Sequence, residues 1–293
     1  MEVVIYSPNF YLHIHDAILL VHYCIDTIIE FTAQIKLSPV LPTAVFILGA
    51  LWGSFCNVCI HRLPNDQNVV TGRSHCPSCK IKINWYDNIP FLSYLLLKGK
   101  CRSCKMKISF QYFLVEAIAA FTFLFIFLFF GLTTTTLLFF MLIISFIIIF
   151  FIDLKHFIIP NQITYSLMII GFFKSFDPFL DRSIFPDYFH SLIGGVCGYF
   201  IIWLLIFVYK KLKNKEGMGL GDAKLLSALG FWFGWISIPF ILIFSSLTAL
   251  GFSLPSLIKK SKNLSTEIPF GPHLVVGCVL YVVFIDEIFK YLI

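Results

Sequence analysis

The chain has 293 residues, of which 58% are hydrophobic, 18% aromatic and only 13% charged. A charged fraction that low excludes an ordinary soluble domain, and 35 phenylalanines in runs such as FTFLFIFLFF and SFIIIFFI need hydrocarbon around them. The net charge of +6 is no sign of nucleic-acid binding, because the basic residues sit in short blocks between apolar spans.

In chain order, the first residues, MEVVIYSPNFYLHIHD, lack the basic start and unbroken apolar stretch of a cleavable signal peptide. A weak segment, 17–31, carries Asp26 and Glu30 and reads as an interfacial or periplasmic helix. Windows of about 20 apolar residues then give eight expected spans. They run 43–60, 112–130, 133–152, 157–173, 188–209, 222–235, 236–258 and 273–293. The sixth is short enough to begin in the interface. The fold expected is therefore an all-α polytopic membrane protein with about eight transmembrane helices.

Lys and Arg orient it. Nine basic residues stand against Asp66 and Asp87 between Arg62 and Lys107, and the blocks KKLKNKE (210–216) and KKSK (259–262) add seven more on the same side. The connection 174–187 falls on the other side, with Asp177, Asp181 and Asp187 against Lys174 and Arg182. The basic side is expected to be cytoplasmic, which places the first forty residues outside.

Four parts are expected: an N-terminal extension, 1–40; a first transmembrane helix, 41–61; a cytoplasmic four-cysteine domain, 62–111; and a seven-helix domain, 112–293. In the loop, CPSC and CRSC stand 21 residues apart and supply Cys76, Cys79, Cys101 and Cys104, a pattern suited to a tetrahedral thiolate site for Zn2+. A loop of this size buries little core, so a metal would supply folding energy. Two disulfides are the alternative, disfavoured by a reducing cytoplasm. Cys56 and Cys59 form another CxxC inside GSFCNVCI and read as small buried hydrophobes.

Ionisable groups at the edge of membrane spans are functional candidates by default. Asp153 closes SFIIIFFID and Asp222 follows GMGLG, both at the expected cytoplasmic boundary. Two carboxylates sharing a site do not both ionise readily; one keeps its proton while the other activates a water. Gly219 and Gly221 would let backbone approach a substrate strand beside Asp222. The plainer readings are an interfacial Asp153 near Lys155 and His156, and an Asp222 that caps the following helix. A transporter with intramembrane acids and a non-enzymatic scaffold that docks partners through its zinc loop are the competing functional classes.

These motifs together resemble the type IV prepilin peptidase family from about residue 48 to 277. GSFCNVCIHRLP, the cysteine-bearing GRSHCPSC…CRSCKMKISFQYFLVE, IDLKHFIIPNQIT around Asp153, GMGLGDAKLLSALG with its GxGD around Asp222, and IPFGP at 268–272 occur in the family's order. The resemblance implies an aspartic endopeptidase of the bacterial inner membrane. It would remove a short basic leader from prepilins and pseudopilins after a glycine at the cytoplasmic face, serving type IV pili or type II secretion. It also implies N-methylation of the new N-terminus with S-adenosylmethionine, for which no residue can be assigned. Two departures stand out: Asn161 occupies a position where many relatives are acidic, and the first forty residues exceed the usual lead.

Overall fold

A computed structural model describes residues 39–70, 72, 74–76, 78–214, 218–258 and 268–292. Residues 1–38 of the expected N-terminal extension with its segment 17–31, the basic block 259–262 and residues 215 and 216 of the other block lie outside the described residues.

The described chain is helical, with two isolated β-bridges in the loop. The helices are α1 (Val40–Arg62), α2 (Leu92–Leu96), α3 (Phe110–Phe130), α4 (Thr134–His156), α5 (Asn161–Lys174), α6 (Tyr188–Lys213), α7 (Leu220–Phe233), α8 (Ser237–Ile258), α9 (Gly271–Val283) and α10 (Ile285–Leu292). Among the described residues, five segments are long and apolar enough to cross a membrane: Val40–Asn65, Phe110–Phe130, Thr134–His156, Tyr188–Lys213 and Ser237–Leu254. The chain is thus a multi-pass membrane protein.

The other three expected spans are shorter helices. The window 157–173 contains a turn: Phe157 closes α4 in the left-handed region at φ 58°, and α5 starts only after Pro160. The window 222–235 becomes the 14-residue α7. The window 273–293 breaks at Phe284, dividing the short apolar α9 from α10, which opens with Asp286 and Glu287.

Local chemistry sets several helix ends. Ser109, Thr133 and Asp187 each accept a backbone N–H from the first turn of the helix they precede, supplying the acceptor that helix starts lack. Asp187 is held well below the usual carboxylate range by the backbone N–H of His190 and by the His190 side chain.

Packing is closest where side chains are smallest. A Cβ added to Gly230 of α7 would strike the backbone of Gly194 on α6, and one added to Gly194 would strike Gly230. Backbone therefore lies on backbone along this seam, as small residues allow between membrane helices. Ser227 Oγ donates to Gly195 O (2.7 Å) and Ser191 Oγ to Phe231 O (2.6 Å), so hydroxyls tie the same two helices. On its other side α7 meets α5, where the fully buried Trp232 donates from Nε1 to Leu167 O at 2.8 Å. With α8 and α9 also against it, α7 is the central helix.

Candidate active site

The two sequence-predicted aspartates meet at one end of this bundle. Asp153 lies three residues before the end of α4, and Asp222 is the third residue of α7. Both are buried, at 4% and 8% exposure. Their carboxylates are close enough for Asp153 to act electrostatically on Asp222. Each lies within a turn of a helix end, not at mid-span where a transported ion would bind.

Asp222 is not a helix cap. Gly219 occupies the cap position and supplies no side chain, while the Asp222 carboxylate stands in the first turn, where the helix dipole favours negative charge. Gly219 has extended backbone (φ −83°, ψ 151°) that any residue adopts, and among the described residues a Cβ there would approach nothing nearer than Asp222 Oδ2, at 3.8 Å. Neither strain nor packing requires glycine at 219; the position is simply open beside the carboxylate. Gly221 differs, because a Cβ there would press on Ile159 Cβ at 3.2 Å.

One functional residue escaped sequence reasoning. The N–H of Gly271, at the start of α9, donates to Asp153 Oδ2 at 3.0 Å across 118 positions of chain. A Cβ at Gly271 would lie 2.6 Å from that oxygen and 3.0 Å from Ile159 Cδ1. Glycine is thus needed for the contact, and Ile159 walls the site between Gly221 and Gly271. The motifs IPFGP and IIPN were the available signal; their resemblance was legible, their contact was not. At the rim Lys224 Nζ donates to Asn161 Oδ1 (2.8 Å) and lies 5.3 Å from the Tyr165 ring. Lys155 and His156 are exposed.

The four loop cysteines form a second centre. Their sulfurs lie within 4.8 Å of one another, and Cys76 Sγ is 3.8 Å from Cys104 Sγ. Four sulfurs about 2.3 Å from one tetrahedral ion stand about 3.8 Å apart, so the set fits a metal. Each half is the same turn. Lys80 N donates to Cys76 O and Cys76 N to Ile81 O; Lys105 N donates to Cys101 O and Cys101 N to Met106 O. Lys80 and Lys105 take the left-handed conformation at φ 60° and 59°. Backbone N–H groups of Cys79 and Ser78 lower the Cys76 thiol, while the neighbouring thiols raise Cys79, as expected of sulfurs crowded around one point. Cys56 and Cys59, by contrast, are buried against α3 and α4. The loop is anchored on the bundle by Glu116 of α3, whose Oε2 accepts Phe91 N at 3.0 Å, and braced by the Arg102–Asp87 ion pair (2.6 Å).

Comparison with known proteins agrees with this layout. Residues 47–130 match the bacterial peptidase A24 N-terminal domain, and residues 138–254 match the type IV leader peptidase family. The prepilin leader peptidase/N-methyltransferase of Aeromonas salmonicida (strain A449) is 32% identical over 276 residues, covering 84% of this chain and 92% of the relative. Proteins of the same description from Pseudomonas aeruginosa (32% identical; 89% and 96% covered) and Vibrio cholerae (34%; 80% and 93%) are similar too. No solved structure matches. With relatives this similar over nearly their full length, and both domain models in order along it, the chain belongs to the type IV leader peptidase family.

Proposed function

We propose that this protein cleaves the leader peptide of prepilins and pseudopilins after a glycine, with Asp153 and Asp222 as the catalytic residues, and then N-methylates the new N-terminal residue. The observation that carries the reading is the meeting of two buried carboxylates at one end of the bundle, one of them held by a backbone N–H. The relatives' printed names supply the substrate class and both activities.

A buried, electrostatically coupled pair shares a proton. The Gly271 N–H stabilises negative charge on Asp153 Oδ2, so Asp153 takes the base role and Asp222 carries the proton. Asp153 removes a proton from a water, the oxygen attacks the scissile carbonyl carbon, and Asp222 protonates the carbonyl oxygen. As the tetrahedral intermediate collapses, Asp222 takes back the proton of one hydroxyl, the C–N bond breaks, and the departing amine takes the proton held by Asp153, which restores the starting pair. Gly219, at the cap of α7, is the open position that admits the substrate backbone, whereas Gly221 lies in the first turn of α7 against Ile159 and forms no loop with it.

The domain 62–111 holds structural Zn2+ through Cys76, Cys79, Cys101 and Cys104, and the helices of 112–293 carry the peptidase. The methyl donor is S-adenosylmethionine. The protein resides in the bacterial inner membrane with the aspartates and cysteine loop on the cytoplasmic side, the orientation supported by Lys210, Lys211 and Lys213 at the end of α6 and by the basic loop. The test is cleavage of a membrane-inserted prepilin by wild type, Asp153→Asn and Asp222→Asn, with folding checked by protease resistance. Cutting by wild type and loss of at least about a thousandfold in both folded variants is expected. Normal cutting by either variant would return the scaffold reading.

A further inference from the structure

A groove of about 350 Å³ opens beside the candidate active site, between the cytoplasmic third of α6 and the entry to α7. Its α6 wall is Trp203, Ile206, Phe207 and Lys210, at the i, i+3, i+4, i+7 spacing of one helix face; Met218, Gly219 and Leu220 form the other side. We propose that this groove seats the apolar segment of the prepilin that follows the scissile bond, a reading that rests on the peptidase assignment above.

Three observations favour this occupant. The groove is continuous with the catalytic centre, because Gly219 belongs to its lining and faces Asp222 Oδ2. A larger cavity, of about 420 Å³, lies at the opposite end of α7 and lacks this continuity.

The wall is also apolar where the occupant must be apolar. From Lys210 to Trp203 the face rises about 10 Å into a 26-residue span. At that depth only an apolar segment sits without stranding polar backbone, and a helix meets that condition. Trp203 and Phe207 stack at 5.7 Å with their rings 15° apart, yet remain 39% and 52% exposed. They form a preset aromatic ridge that the other described residues leave uncovered.

Charge excludes the other half of the substrate. Lys210 lines the outer end of the groove, in a last turn of α6 that also carries Lys211 and Lys213, so a basic leader is repelled there. The leader departs on the other side of Asp222 and the retained segment lies along α6. Recognition is therefore divided: the groove reads the part of the substrate that remains in the membrane.

A benzophenone amino acid placed at position 207, in full-length Asp222→Asn protein in native membranes, tests this against the same probe at Leu205 on the opposite side of α6. The substrate is a prepilin that the wild type is first shown to cut. Cross-linking to prepilin is expected to be at least about fivefold stronger from 207 than from 205. In the active protein Phe207→Ala should raise KM about tenfold and leave kcat within about twofold, as loss of one exposed aromatic contact predicts. Equal cross-linking from both positions, or lipid adducts alone, together with an unchanged KM, would overturn the groove assignment and leave the peptidase reading intact. If wild type cuts no prepilin, the peptidase reading fails and the groove assignment fails with it.

Discussion

Gly271→Ala is the sharpest test of how the site is held together. The added methyl would lie 2.6 Å from Asp153 Oδ2 and 3.2 Å from Asp153 Cγ, against an ordinary contact of 3.4 Å or more. The carboxylate must therefore retreat by about 0.8 Å, which takes its oxygen out of hydrogen-bond range of the Gly271 N–H, now 3.0 Å away. A hydrogen bond to a charged group is worth about 1.5–3 kcal/mol, so kcat/KM should fall roughly ten- to hundredfold. Stability should change little, because alanine is the better helix former by about 1 kcal/mol in a helix turn. Cleavage of prepilin in proteoliposomes, read beside thermal unfolding of the same preparation, separates the two effects. A folded Gly271→Ala protein that cuts at the wild-type rate would refute the claim that this N–H positions Asp153.

Three further outcomes follow from other parts of the structure. Removing metal with a chelator, or Cys76→Ser, should open the loop 74–108 to protease while the helices stay protected, because the loop's order depends on its sulfur cluster; unchanged protection would show that the loop folds without metal. Gly230→Ala should lower the unfolding free energy by about 1–3 kcal/mol through the clash with Gly194, whereas Gly251→Ala, with nothing within 4 Å, should be neutral or stabilising; equal effects would disprove the seam. Asp187→Ala should cost about 1 kcal/mol at pH 7 as a lost helix cap. Because the folded-state pKa of Asp187 is lowered, that advantage is complete above about pH 4, the unfolded value, and disappears as pH falls through the folded value. A wild-type advantage that grew on acidification would reverse the assigned sign.

Local patterns were the most legible. The long helices α3, α4 and α6 each contain a strongly apolar run, so hydropathy placed them closely. The two CxxC turns announce their geometry because each is closed by hydrogen bonds within six residues. Hydropathy failed where apolar residues do not form helix: Phe157, Ile158 and Ile159 are apolar but belong to a turn before Pro160, so the fourth window ran through a loop. Spacing also could not show why Gly271 is glycine, since its partner is 118 residues away. Gly219 and Gly221 looked equivalent in the sequence. Only the fold separates them, one open to the groove and one pressed on Ile159.

The backbone seam between α6 and α7 also bears on how the protein is built. At 14 residues α7 extends about 21 Å, less than the roughly 30 Å of a hydrocarbon core, whereas the 26-residue α6 extends about 39 Å. The longer helix can enter the bilayer by itself, and the shorter one gains a stable position only after α6 offers its glycine face. The seating of α7, and with it the position of Asp222, therefore depends on the glycine face of α6.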